Sequence, residues 1–432
     1  MDISLTKMIK HWIITLTLFL CFLPATSLAS NNKKSPNIIF IVADYMGYAD
    51  TEPYGATDIK TPSLNALASQ GIKFTNHYAA ASSCIPSRAS LMSGKYPSKV
   101  LQGFEHKKGR GLHSKNNNLL KGLKSNGYKT ALIGKWHLGQ EENFNPNDHG
   151  FDYFLGFNAW TLGYHNHLTS DGEPGLYRNK ELINESGYLT DIFTNEAMQF
   201  IDNNNKDPFF LYLSYNAGLP PYQKPDLEKS KWNTGWDANK ASRSDYVSMI
   251  ESMDFGIGRV LNKLNALNLD DNTLVIFTYD HGGRHLVDSG PLFHGFGTLW
   301  EGGIRVPLIM RWPNKLNVNN TFQIPTIAMD LTATMLDAAQ RKDITNTLDG
   351  ISLRDITAQP DNYVDRSLYF KGRKMKAVRK HNWKYIVDGY SQLLFNLETD
   401  ISEKQNIFHK QIKKANQLKQ ELENWEESLK SY

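Results

Sequence analysis

Ile38-Ile39-Phe40-Ile41-Val42-Ala43 is an unbroken apolar run rich in β-branched residues. It predicts a strand buried on both faces, as in a parallel sheet covered by helices. Lys129-Thr130-Ala131-Leu132-Ile133, Phe209 to Leu213 and Leu274 to Thr278 predict further strands. Helical patterns fall between them. Thr61-Pro62 opens a helix carrying Leu64 and Leu67, and Gly71 closes it. A longer helix is expected around Met249 to Leu267. Strands alternating with helices imply an α/β fold with a mostly parallel central sheet flanked by helices. The pattern changes near Asp361. Met375 to Arg379, Trp383 to Val387 and Leu393 to Leu397 are short strand-like pieces, with His381 and Asn382 in the first gap and Gly389 in the second. They predict a small antiparallel sheet. A terminal amphipathic helix follows, with Ile412, Ala415, Leu418, Leu422, Trp425 and Leu429 on one face, expected to dock on the body. Residues 36–360 therefore form a main domain and 361–432 a C-terminal subdomain.

The N-terminus reads differently. Lys7 and Lys10 precede an apolar run from Trp12 to Leu23, too short to favour a membrane span. Ser27-Leu28-Ala29 supplies small residues for cleavage. Residues 1–29 are expected to be a signal peptide, Asn31 to Ser35 a polar linker, and the protein exported to a periplasm or secreted, with no stable membrane anchor. The chain of 432 residues carries a formal charge of only +4, which argues against a nucleic-acid partner.

Removing the leader removes Cys21 and leaves Cys84 as the sole cysteine. A lone thiol cannot form an internal disulfide. Pro86 fits the first turn of a helix and Gly94 its far end, so Cys84 sits at a helix N-terminus, where backbone N–H groups favour an anion. In open α/β sheets ligands bind beyond the carboxyl ends of the strands. Asp44 follows the first strand, Lys135 and His137 follow the second, and Asp280 and His281 follow the Leu274 strand.

Cys84-Ile85-Pro86-Ser87-Arg88, continued through Ala89-Ser90-Leu91-Met92-Ser93-Gly94, resembles the signature of the type I sulfatases, within the alkaline phosphatase superfamily. Other blocks match in order: Asn37 to Asp50, Gly134 to Gly139, Phe277 to Gly283, Thr298 to Pro307, and Ala377 to Tyr385. The resemblance covers about residues 36 to 408 and makes 36–360 a catalytic domain. It implies that a maturase oxidises Cys84 to formylglycine, whose diol attacks the sulfur of a sulfate ester. It further implies that Arg88 steadies this nucleophile, that Lys135 contacts the sulfate, and that His137 takes the proton that expels sulfate. Asp44, Cys84, Asp280 and His281 are then ligands of calcium or magnesium. The implied substrate is a sulfated carbohydrate. The chemistry suits these groups: fixed cations offset developing negative charge, and a hard dication takes oxygen ligands.

Three positions depart from the family pattern. Tyr45 stands where a second acid usually follows the first strand. Gly218-Leu219 stands where Pro-His usually follows Asn216-Ala217. Phe296 stands in place of a lysine, with His285 and His294 nearby in sequence. A neutral phenol is a poor substitute for a carboxylate on a hard cation. Two other readings therefore stay open: a noncatalytic relative that binds sulfated ligands, or a hydrolase of phosphonate or phosphate monoesters.

Overall fold

The first strand alternates between two cores. Ile38, Phe40 and Val42 enter one, and Ile39, Ile41 and Ala43 enter the other, all with no exposure. A strand covered on both faces needs no polar side, which is why its sequence is a continuous apolar run. The computed structural model describes residues 35–101 and 111–432. The expected signal peptide, with Lys7, Lys10, Cys21 and the Trp12 to Leu23 run, lies outside the described residues.

In chain order the main strands are β1 (Asn37–Ala43), β2 (Ile72–Phe74), β3 (His77–Tyr78), β4 (Lys129–Lys135), β5 (Tyr153–Phe157), β6 (Tyr177–Arg178), β7 (Glu181–Leu182), β8 (Phe209–Ser214), β9 (Thr273–Tyr279), β10 (Leu308–Arg311), β11 (Asn320–Phe322) and β12 (Thr326–Ile327). Ten form one sheet in the order β11-β2-β10-β9-β1-β8-β4-β5-β6-β7, while β3 pairs with β12. The stretch β9-β1-β8-β4-β5 is parallel throughout, so its carboxyl ends share one edge. Helices Cys84–Ser93, Asn118–Ser125 and Ala328–Ala338 supply one core. Helices Pro62–Ser69, Leu189–Asn204 and Arg243–Ala266 supply the other. The expected α/β architecture is observed.

Several boundaries differ from expectation. The Lys129 strand continues through Lys135 instead of stopping at Ile133. Gly134 makes this possible: its φ is +112°, and a Cβ there would lie 1.9 Å from Ser214 O. The long helix begins at Arg243, because Ser242 and Asp245 form a capping box upstream of the first apolar repeat.

The C-terminal sheet has four strands, one more than expected: β13 (Leu368–Lys371), β14 (Met375–Lys380), β15 (Trp383–Asp388) and β16 (Ser391–Asn396), antiparallel in that order. Helix Ile412–Ser428 buries Ala415, Leu418, Leu422 and Trp425 against it, and Leu429 beyond its end is also buried. Ile412 is exposed, contrary to its place in the apolar pattern, because it occupies the first position of the helix. The Trp425 ring stacks on Tyr369 of β13 at 4.9 Å.

A buried ionic joint ties this sheet to the body. Lys384 Nζ on β15 lies 2.8 Å from Glu301 Oε1 and 2.9 Å from Glu403 Oε1. Tyr78 OH donates to Glu301 Oε2 at 2.7 Å, and Arg305 Nη1 lies 3.2 Å from the same oxygen. Burial alone would raise the Glu301 carboxyl, but Lys384, Arg305 and Arg379 outweigh it and hold it at about 2. Removing one partner of a buried charge cluster leaves the others desolvated and unpaired. Lys384→Ala should therefore lower unfolding stability by about 3–5 kcal/mol in urea titrations. A loss under about 1 kcal/mol, the range of an exposed pair, would show that apolar packing alone holds the joint.

Candidate active site

Register brings two acids together. Ala43 pairs with Tyr279 across β1 and β9, so Asp44 and Asp280 leave the sheet side by side, and Asp280 N donates to Ala43 O at 3.1 Å. Two adjacent buried carboxylates repel each other unless cations answer them. Arg88 does so. It lies one helical turn beyond Cys84, so both side chains leave helix Cys84–Ser93 on one face. Arg88 Nε lies 2.9 Å from Asp280 Oδ2 and Nη2 lies 2.9 Å from Asp44 Oδ2. Its Nη1 donates to Ser214 Oγ at 2.7 Å and to Lys135 O at 3.1 Å. Lys135 Nζ, at the end of β4, lies 2.5 Å from Asp44 Oδ2 and 3.7 Å from Cys84 Sγ. Burial opposes the Asp280 charge, but His281, Arg88 and Lys135 lower its carboxyl below the usual range.

Cys84 is the first residue of its helix and is buried. His281 Nε2 lies 3.0 Å from its Sγ. The other ring nitrogen, Nδ1, lies 3.0 Å from Gly282 O, an acceptor only, so Nδ1 carries a proton and donates there. Burial works against a charge on His281, yet Asp280, Cys84 and Asp44 together lift the ring to about 9. His137 stands apart. Its φ is +55°, and its Nδ1 is buried without a hydrogen-bond partner. Burial, with Lys135, Arg88 and His281 adding repulsion, pushes it well below the usual histidine range, so the ring stays a neutral base.

The donor set fits a divalent cation. Single atoms of Asp44, Cys84, Asp280 and His281 lie within 4.8 Å of one another. Asp44 Oδ1 and Asp280 Oδ1 are buried and accept no hydrogen bond. Their nearest cationic neighbour is His281 Nε2, 3.5 Å from Asp280 Oδ1 and 4.0 Å from Asp44 Oδ1, and a bound cation would give both oxygens a closer partner.

All seven sequence-predicted residues thus lie at this sheet edge or on the helix facing it. Ser214 was missed. The signal was present, since it is the polar residue that ends an apolar strand, as Asp44 follows one. Ser87 was missed too; its Oγ donates to Asp280 O.

The three departures are resolved spatially. Tyr45 and Phe296 pack on each other at 5.1 Å, and Phe296 packs on His281 at 4.9 Å. Burial lifts the Tyr45 phenol to about 12, so it stays neutral. Leu219 is fully buried in a turn against Asn216 O, whose carbonyl also accepts from Tyr164 OH. His285 and His294 are exposed, and no hydrogen bond or ring contact joins either to the cluster. His294 lies against Phe293 and Trp300 instead.

Comparison with known proteins points the same way. The Sulfatase family model matches residues 36–341, and the model for the C-terminal region of N-sulphoglucosamine sulphohydrolase matches 294–428. The chain is 30% identical to N-acetylgalactosamine-6-sulfatase of Homo sapiens, over 82% of this chain and 73% of that protein. It is similar to the crystal structure of Ps i-CgsB in complex with k-i-k-neocarrahexaose, with TM-score 0.82, 33% identity, and 91% and 93% of the two chains covered. A phosphonate monoester hydrolase from Silicibacter pomeroyi shares the fold, at TM-score 0.64 and 19% identity over 89% or more of either chain.

Calorimetric calcium titration tests the cation fit. Asp280→Ala should abolish binding. Tyr45→Asp should tighten it by about tenfold, because it adds an oxygen ligand and because Asp tolerates the φ of +60° better than Tyr. Unchanged affinity in Tyr45→Asp would show that another oxygen already fills that place.

Proposed function

The chain belongs to the sulfatase family and is a sulfuric ester hydrolase, and from that premise we propose that residue 84, matured to formylglycine, removes sulfate from a sulfated carbohydrate. The observation that carries this reading is the side-chain cluster itself. Single ligand atoms of Asp44, Cys84, Asp280 and His281 lie within 4.8 Å of one another, beside buried Lys135 and Arg88. A sulfur electrophile brings negative charge, and a water-poor site with fixed cations stabilises its growth. The thiol sulfur occupies the place of the nucleophilic oxygen.

Asp44, Asp280 and His281 would hold calcium or magnesium, with residue 84 as a further ligand. That ion supplies Lewis acidity toward the sulfate and the nucleophile. The chain's own side chains do the rest. Lys135 reaches toward residue 84 and places its ammonium against the bound sulfate. Arg88 holds Asp44 and Asp280 in position and touches the substrate only through them. His137 is neutral, so it can take the proton whose loss releases sulfate from residue 84. Ionised His137 could not act as a base.

The carbohydrate substrate class is supported by two relatives. One solved structure holds a neocarrahexaose, and the human relative is named as an N-acetylgalactosamine-6-sulfatase. Residues 1–29 act as the export leader, residues 36–360 carry the chemistry, and residues 361–432 brace it. A formylglycine-generating maturase acts on Cys84 before the protein works in a periplasm or outside the cell.

In a maturase-competent host, mass spectrometry should find an aldehyde at residue 84. Cys84→Ala should fold and lose all sulfate release; retained turnover overturns the assignment. His137→Ala should still transfer sulfate to residue 84 but fail to release it, leaving the protein about 80 Da heavier. Fast turnover in His137→Ala without that added mass would remove His137 from the mechanism.

A further inference from the structure

On the sulfatase reading, the ester binds beside a wall of two neutral rings, Tyr45 and Phe296, with the latter against His281. Neutral rings add no charge to grip a sulfate. Binding energy from remote, non-reacting parts of a substrate can add to that grip. The remote grip should then be visible at the rim of the same sheet edge.

Trp160 stands there. Phe157, the last residue of β5, pairs with Lys135 of β4, and Trp136 N donates to Phe157 O at 3.0 Å. Lys135 and His137 therefore flank the carboxyl end of β5. Trp160 follows Phe157 by three residues, within about 11 Å of chain. The adjacent Thr161 Oγ1 donates to Pro220 O at 2.7 Å, next to Leu219. Tyr164 OH donates to Asn216 O at 2.6 Å and Leu219 O at 3.1 Å, and Tyr164 N donates to Gln223 Oε1 at 2.8 Å. The loop carrying Trp160 is thus pinned to the loop that carries Leu219. Yet Trp160 itself is 41% exposed and makes no aromatic contact with any described residue. A large, partly exposed ring on a loop held by its neighbours at this edge of the sheet suits the apolar face of a sugar.

We propose that Trp160 is a specificity-determining platform that stacks on a sugar unit adjoining the one that carries the scissile sulfate, so that the preferred substrate is a sulfated oligosaccharide longer than a monosaccharide. This rests on the sulfatase reading above and adds its substrate-length preference. Trp160 takes no part in the bond-breaking steps.

The test compares mature wild-type protein with Trp160→Ala and Trp160→Phe. The probes are a small aryl sulfate and a panel of sulfated neocarra-oligosaccharides and sulfated N-acetylgalactosamine oligosaccharides, from one sugar to six. Wild type should prefer its best oligosaccharide over the matching monosaccharide. Trp160→Ala should raise the KM for that oligosaccharide at least tenfold with kcat within twofold, while its kcat/KM on the aryl sulfate falls less than twofold. Trp160→Phe should recover most of the KM. Equal thermal melting of the three proteins excludes a folding defect. Calorimetry on the inert Cys84→Ala protein should show the same tenfold weakening of oligosaccharide binding when Trp160→Ala is added. A wild type with no preference for length, or equal losses on short and long probes, overturns the proposal while aryl sulfate turnover leaves the sulfatase reading standing. A wild type with an aldehyde at residue 84 that cleaves no probe overturns both.

Discussion

The arrangement turns on one electrostatic problem created by strand register. Because Ala43 and Tyr279 are paired neighbours, Asp44 and Asp280 emerge together into the protein interior, both with no exposure. Neither burial nor mutual repulsion can be tolerated alone. Arg88 resolves it with a planar fork that reaches one carboxylate through Nε and the other through Nη2. Lysine, a single point charge, could not span both. The same guanidinium sits one turn from Cys84, so the group that neutralises the acids also fixes the helix that presents Cys84. Each carboxylate spends one oxygen on Arg88, while the other accepts no hydrogen bond and faces His281 Nε2, at 3.5 Å for Asp280 and 4.0 Å for Asp44. Charge balance and the placing of Cys84 therefore rest on the same set of contacts.

Tyr45 and Phe296, two of the departures from the family pattern, are not isolated in space. The two rings meet, and one of them covers His281. The wall beside the cluster is thus a pair of neutral rings that brings no charge of its own to the ligand atoms.

The apolar runs of β1, β4, β8 and β9 were legible because a strand buried on both faces leaves no other solution to the pattern. The residues that end those strands followed from that, and so did Asp44, Lys135, His137, Asp280 and His281. The extension of β4 was not legible, because it depends on how closely two backbones approach at Gly134, whereas Ser214 carried the signal of a polar residue ending an apolar strand. β13 was missed because Leu368 to Lys371 is only four residues long. The contact of Tyr45 with Phe296 spans most of the chain and has no local signature at all. The sequence marks each position as a departure but not that the two rings meet.

The C-terminal sheet reaches the chemistry through a short chain of backbone contacts. Phe296 N donates to Gly283 O, and Gly297 N donates to Ser82 O. The loop holding Phe296 is thus stitched between the segment after His281 and the segment before Cys84. It ends at Glu301, whose N–H donates to Glu403 Oε2 and whose carboxylate meets Lys384 on β15. Gly303 O in turn accepts from Gly282 N. The joint that attaches the small sheet therefore also sets the position of the aromatic wall over His281. Glu301, Arg305 and Lys384 belong to the sequence blocks that resemble the family, yet none of them touches Cys84. Their place in those blocks follows from what they anchor.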